Sequence, residues 1–410
     1  MKRVVITGMG LASPIGVSPD ELVCALKEQR SGVRFMPEWA HIKDLQGRLG
    51  GMVDGLDLTR RYPRKKRRTM GKVALLATYA TEQAVAQAGL SEEAISAGRC
   101  GVAYGSTSGS NHAFEEFCGP LFTEHTMRGL DSTAYLKFMT HTCAANLAQY
   151  FKVRGRIVPT SSACTSASQG IGYGLESIRH GLADVMICGG AEEMHYATAV
   201  TFDLLMATSV RFNGTPASSP RPFDAARDGL VIGEGAATVI LESEEHARAR
   251  GATILAELLA WGTNCDGDHL TAPSRDGMRG AMELALAAAG IDRDAVDYVN
   301  AHATGTELGD IEESHATREV FERAVPISSI KSYMGHTLGA CGAIEAIASV
   351  RMMQDGFLAA NRNLDEVDPR CAKLGYVREP TAASPRLVMS NNFAFGGVNT
   401  SLLLRRWEGA

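Results

Sequence analysis

No apolar run in the sequence approaches 18 residues, which excludes a hydrophobic helix able to span a bilayer. The start, "MKRVVITGMG", lacks the apolar stretch and cleavage site of a secretory signal, so it predicts a strand and a cytoplasmic protein. No C-x-x-C pair occurs among the nine cysteines, at positions 24, 100, 118, 143, 164, 188, 265, 341 and 371. An odd number without metal-type spacing argues against a disulfide framework and a zinc site, so no metal is assigned. In a reducing compartment most of these thiols are small buried hydrophobes. Excess positive charge is missing too: 41 Lys and Arg face 46 Asp and Glu, a net −5 that does not suggest wholesale nucleic-acid binding. A dinucleotide-binding turn is incomplete, because in "GMGLASPIG" Ser13 stands where the third Gly belongs and Pro14 follows. Low-complexity tracts and long linkers are also absent.

What is present is alternation. At 410 residues, with 45% hydrophobic and 21% charged residues, the chain has room for about two or three domains or one fused pair. Strands are predicted at 2–10, 99–106, 184–193 and 237–243, with helices at 74–90, ending at Gly89, and 167–181. A similar order then restarts: strand 254–262, helix 277–291, strand 296–304, helix 343–356 and strand 386–397. The pattern predicts an α/β protein with buried mixed or parallel sheets and helices outside. The second series reads as a diverged copy of the first in element order, with the join near 245–255.

Four stretches carry chemistry-bearing residues. "GRIVPTSSAC" runs as a strand into a turn and "TSASQGIGYGLESI" as a helix, which puts Cys164 at a strand–helix junction. There the helix dipole would favour a thiolate and lower the thiol's pKa, as in a nucleophile elbow. A structural Cys packed against a Gly/Ala helix would give the same string. "VNAHATGTELGD" presents Asn300 and His302 at the exit of an apolar strand, a place for a catalytic base or for a satisfied core His. "SSIKSYMGHTLGACGAIE" holds Lys331 and His336 around a glycine-rich turn, with Glu345 on the following helix. A Lys near two His favours their neutral forms; the alternative is a helix cap with an exposed Lys. "MSNNFAFGGVNT" offers backbone N–H groups and a mobile aromatic, or an ordinary turn.

In this order, Cys164, His302, Lys331, His336 and "NFAFGG" resemble the β-ketoacyl-acyl-carrier-protein synthases of the thiolase-like superfamily. The resemblance runs end to end, through "VVITGMG", "SSAC", "RPFDAARDGLVIGEGA", "VNAHATGT", "KSYMGHTLGACGAIE" and "NNFAFGG". It is strongest to the chain-elongating class, and residues 192–209 lean toward the branch of the first bacterial synthase type. The resemblance implies two duplicated halves, 1–250 with the nucleophile and 251–410 with both histidines, packed as an α-β-α-β-α body in a homodimer. It implies an acyltransferase without a cofactor. An acyl chain from acyl-carrier protein is held on the cysteine, malonyl-carrier protein loses CO₂, and the carbanion attacks the thioester.

Carried over residue by residue, Cys164 is the nucleophile, and its N–H with that of Phe395 forms the oxyanion hole. His302 and His336 donate to the malonyl thioester oxygen, Lys331 controls their electrostatics, and Glu345 pairs with Lys331. Phe395 is the gating Phe; Asp266 and Thr271 belong to a second mobile loop beside it. Two departures are Ala303 and Ala394, where the family usually has Gly; a methyl at a positive-φ position costs about 1 kcal/mol or forces another backbone shape. Ser108 falls where some relatives carry a bulky residue in the acyl pocket, which implies spare room there or an unusual acyl chain. The run "RRYPRKKRR" has seven charges in nine residues. It reads as a solvated loop, a nucleic-acid contact or, in this context, a dock for an acidic carrier through Arg64, Lys65 and Arg68, with Arg211 assisting. A specialised polyene or polyketide synthase working with a homologous partner subunit is the alternative. A coenzyme-A thiolase would have one His here and a second catalytic Cys, and a non-catalytic partner subunit would lack Cys164.

Overall fold

The computed structural model describes residues 2–409. Strands β1 (Val4–Ala12), β2 (Cys100–Gly105), β3 (Ile157–Thr160), β4 (Val185–Glu192) and β5 (Gly235–Ser243) come from the first part of the chain. Strands β6 (Ala256–Cys265), β7 (Tyr298–Asn300), β8 (Pro326–Ser328), β9 (Gly375–Tyr376), β10 (Leu387–Ala394) and β11 (Val398–Arg406) follow. All are hydrogen-bonded in the order β9-β8-β7-β10-β11-β6-β1-β5-β4-β2-β3. Without the two-residue edge strand β9, each half reads third-second-fourth-fifth-first by its own count. The strand senses repeat as well. In each half the third, second and fourth strands run parallel, and the fifth lies antiparallel between the fourth and the first. The halves meet where β1 pairs with β6 at only two positions, Val5 with Glu257 and Ile6 with Ala256. The duplication read from element order is thus a duplication of topology.

The main helices are α1 (Lys72–Ala88), α2 (Asn111–Thr123), α3 (Thr142–Tyr150), α4 (Ser166–Arg179), α5 (Tyr196–Leu204), α6 (Arg275–Ala289), α7 (Glu307–Phe321) and α8 (Cys341–Asp355). Helices α4 and α8 pack on each other and on strands of both halves, which makes them the middle layer. Helices α1 and α3 cover the outer face of the first half, and α6 with α7 that of the second. The layering is α-β-α-β-α. A middle-layer helix has no solvent face, and α8 is buried at all but a few positions near its end. Close approach dictates glycine in α4: a Cβ at Gly172 would fall 2.1 Å from the Trp261 ring.

Two boundaries differ from expectation. The strand predicted over 296–304 stops at Asn300, because the Glu313 carboxylate takes the backbone N–H groups of His302 (2.8 Å) and Ala303 (2.7 Å) out of the ladder. The strand predicted over 386–397 ends at Ala394, turns through Gly396 and Gly397, both at positive φ, and returns as the unpredicted β11. Neither Ala303 nor Ala394 lies at positive φ, so the strain expected of their methyls is absent.

Candidate active site

The first half delivers a sulfur. After β3 the chain makes a short 3₁₀ turn, Ala163–Thr165, that runs directly into α4. Ala163 sits at φ 50°, a sharp bend just before Cys164. Hydroxyls brace the bend: Thr165 Oγ1 donates to the Ser162 carbonyl at 2.7 Å and Ser166 Oγ to the Ala163 carbonyl at 2.8 Å. The hydroxyl-rich flanks of Cys164 therefore do structural work, holding a tight elbow without bulk.

The second half delivers two imidazoles. His302 follows β7, its backbone gripped by Glu313 on α7. His336 follows β8 and the turn at Gly335, which adopts φ 78°. His336 Nε2 lies 2.9 Å from Cys164 Sγ, and the two imidazole centroids are 5.1 Å apart at 87°. One ligating atom from each of Cys164, His302 and His336 lies within 4.8 Å of the other two. His336 Nδ1 accepts the Leu338 N–H at 3.3 Å, so the neutral ring carries its proton on Nε2, facing the sulfur. The Nδ1 of His302 is buried without a hydrogen-bond partner among the described residues.

Charge settles protonation. Burial, and then the Lys331 ammonium, push both imidazoles well below the usual histidine range, so both are neutral donors. Lys331 is buried and ion-paired with Glu345, whose other oxygen accepts from Asn392 Nδ2 at 2.6 Å. Burial is the largest single influence on that ammonium and works against it, but Glu345, Cys341 and Glu313 together hold Lys331 above its ordinary value. Lys331 also opposes a cation among the sulfur and the two rings. One expectation is overturned: burial pushes the Cys164 thiol up to about 12, against Lys331, and the start of α4 does not make it acidic. The resting group is a thiol with an N–H donor beside it.

A cavity of about 540 Å³ opens onto these groups. Cys164, His302, His336, Phe395, Asp266 and Thr271 all line it, as does Glu313. Phe395 is 38% exposed and its ring centroid lies 5.8 Å from that of Phe202 on α5. The two expected loops are tied together: Gly396 N–H donates to the Leu270 carbonyl at 2.7 Å, and Asp266 N–H to the Gly397 carbonyl at 3.0 Å. Leu205, Met206, Leu270 and Leu308 form an exposed apolar rim.

Other expected residues lie elsewhere. Ser108 does not line the cavity; its hydroxyl faces Asn111 Oδ1 at 3.4 Å, at the start of α2. Asn300 is buried behind the site, its Nδ2 3.4 Å from Ser390 Oγ. Arg64, Lys65 and Arg68 are exposed on and just after a short helix, Arg64–Arg67, and do not line the cavity either. Arg211 reaches its edge by pairing with Asp228 at 3.7 Å.

Three site residues escaped the sequence reading. Glu313 is pushed up to about 8 by burial. Its signal was the buried polar stripe Asp310, Glu313, Ser314 and Thr317 on α7. Glu192 accepts the N–H groups of Thr107 (3.0 Å) and Gly339 (3.1 Å), linking loops of the two halves, and burial pushes it up to about 7. Cys341, remote in sequence, donates to the Cys164 carbonyl at 3.3 Å and does not line the cavity.

Comparison with known proteins matches residues 1–247 to the β-ketoacyl synthase N-terminal domain and 255–365 to the β-ketoacyl synthase C-terminal domain. The chain is 39% identical to 3-oxoacyl-[acyl-carrier-protein] synthase 1 of Escherichia coli strain K12, over 99% of each chain. It is 37% identical to the Haemophilus influenzae protein of the same name, over 100% of each. Among solved structures, a β-ketoacyl synthase from Burkholderia phymatum STM815 superposes with a TM-score of 0.97, at 51% identity over 100% of both chains. A type II polyketide ketosynthase, solved with its acyl-carrier protein, superposes at 0.89, with 28% identity over 99% of this chain and 100% of that one. No helix among the described residues is long and apolar enough to cross a membrane. An elbow cysteine from one half and two neutral imidazoles from the other are thus set in the frame of these relatives, and the chain belongs to the β-ketoacyl synthase family of condensing acyltransferases.

Proposed function

We propose that the chain extends an acyl chain by two carbons through decarboxylative Claisen condensation. Cys164 sulfur attacks the thioester of an acyl-carrier protein, the C–S bond to the carrier breaks, the departing carrier thiolate takes up the proton that Cys164 loses, and the acyl group remains on sulfur. Malonyl-carrier protein then enters the same cavity. Its C–C bond to the carboxyl breaks, CO₂ departs, and the electron pair becomes an enolate. Nε2–H of His336 and the ring of His302 hold the enolate oxygen, which favours decarboxylation because the donors are preorganised and neutral. The carbanion attacks the acyl carbonyl, whose oxygen rests on the N–H groups of Cys164 and Phe395. Collapse then breaks the C–S bond and releases the β-ketoacyl product and the Cys164 thiolate, which takes a proton from water.

The observation that carries this reading is the 2.9 Å approach of His336 Nε2 to Cys164 Sγ across the two halves, taken as 1–250 and 251–410. Phe395 would gate the cavity together with the Asp266–Thr271 loop. Arg64, Lys65 and Arg68, with no salt bridge among the described residues, would steer an acidic carrier, and Arg211 would meet it at the rim. A homodimer is supported by the free edge of β3, where Ile157 is exposed on an unpaired ladder. The test is mass spectrometry of the protein after incubation with a panel of acyl-carrier proteins. Acyl adducts should appear on the Cys164 peptide and vanish in Cys164→Ala. Full condensing activity in that variant would refute the mechanism.

A further inference from the structure

Helix α2 and the start of α5 meet outside the cavity lining, and a second group of ligating atoms stands at their junction. His112 and Glu115, three residues apart, share one face of α2. His195 is the N-cap of α5. One ligating atom from each lies within 4.8 Å of the other two. His195 Nε2 is 3.0 Å from Glu115 Oε2, and the centroids of the two imidazoles are 4.6 Å apart. Tyr196 donates to the other carboxylate oxygen, Glu115 Oε1, and so orients the carboxylate as outer partners of metal ligands do. His195 is buried while His112 and Glu115 are exposed, which gives a fixed inner ligand and an entry path from solvent.

We propose that His112, Glu115 and His195 form a binding site for a divalent cation of the zinc class, separate from the condensing site. Two imidazoles and one carboxylate are a ligand set zinc takes, with a fourth position left for water. Binding has one local cost. In the empty site His195 Nδ1 accepts the Ala197 N–H at 3.2 Å, so Nε2 carries the ring proton and donates it to Glu115. A cation on Nε2 moves that proton to Nδ1 and breaks the cap. Ala197 is exposed, so its N–H passes to water. The two histidines are 83 residues apart, so spacing could not reveal the site. Helix α5 also carries Phe202, whose ring is tilted at 35° beside that of Phe395, so an occupied site would tie α2 to the helix that reaches the gate.

The test titrates zinc or cobalt alone into the full chain carrying Cys164→Ala, which removes the sulfur from the other Cys-His-His group. One ion per chain should bind, and bound cobalt should show no thiolate charge-transfer band. His112→Ala and Glu115→Gln should each weaken binding by at least about tenfold. His195→Asn, which keeps a capping side chain, should abolish it. Absence of binding to the Cys164→Ala protein, or unchanged affinity in these three variants, overturns the assignment.

Discussion

Replacing Lys331 by Met tests the electrostatic reasoning most directly. Lys331 and Glu345 are each 1% exposed, and apart from Lys331 the carboxylate's hydrogen-bond partner is the Asn392 amide. Removing the ammonium strands a buried carboxylate, and breaking one partner of such a pair costs about 3–5 kcal/mol. The carboxyl has one escape, which is to take up a proton. Burial already pushes it upward, and Lys331 is the main force pulling it back. A carboxyl whose folded pKa exceeds its unfolded value binds more protons folded than unfolded. Stability of the variant therefore falls as pH rises between those two values, by about 1.4 kcal/mol per pH unit for one proton. The deficit relative to the parent should be smallest in mild acid and grow toward about 3–5 kcal/mol in mild alkali, read from urea midpoints. A deficit of equal size in both would refute the argument. Combining Lys331→Met with Glu345→Leu should recover most of the loss, because no charge is then left uncompensated.

His302→Ala and His336→Ala should each cost about 3 kcal/mol, roughly a hundredfold, in CO₂ release from the malonyl thioester. Alkylation of Cys164 by iodoacetamide should rise about tenfold per pH unit and still be rising near pH 9, since burial pushes the thiol up to about 12; a plateau in the neutral range counts against that environment. The native imidazoles stay neutral while the unfolded ones protonate below about pH 6.5, so stability should fall with acid by up to about 1.4 kcal/mol per histidine per unit. His302→Gln should flatten that slope, and an unchanged slope would contradict the assignment of a lowered pKa. Gly172→Val should lose about 1–3 kcal/mol, because its first added carbon already lies 2.1 Å from the Trp261 ring; a fully stable variant would show that α4 can move away.

Regular elements were legible wherever one period ran unbroken, as in α1, capped at Gly89 with φ 64°, and in the fully buried β1 and β5. The site was legible through residue types at element exits: Cys164 before α4, His302 after β7 and His336 after β8. What escaped depends on distance in space rather than along the chain. Glu313 reads as one acid among several on a polar helix, and only its grip on the His302 backbone gives it a part. The acidity of Cys164 was misjudged because a helix start is a local property while desolvation is a property of the whole fold. The positive φ expected at Ala303 and Ala394 fails similarly: the first is pinned by a remote carboxylate and the second continues a ladder to Val398. Ser108 was matched through the resemblance to a position where some relatives carry a bulky acyl-pocket residue, and its hydroxyl faces Asn111 at the start of α2.

The repeated strand order also bears on how such a centre can arise. Cys164 and His336 occupy matching stations, each in the loop that leaves the third strand of its half and enters a middle-layer helix. A symmetric pair of identical ancestors would have had to present the same side chain at both stations. Within a single polypeptide the two stations can differ, and here one carries sulfur and the other nitrogen. Asymmetric chemistry thus sits near a pseudo-twofold axis, where the two copies face each other at 2.9 Å.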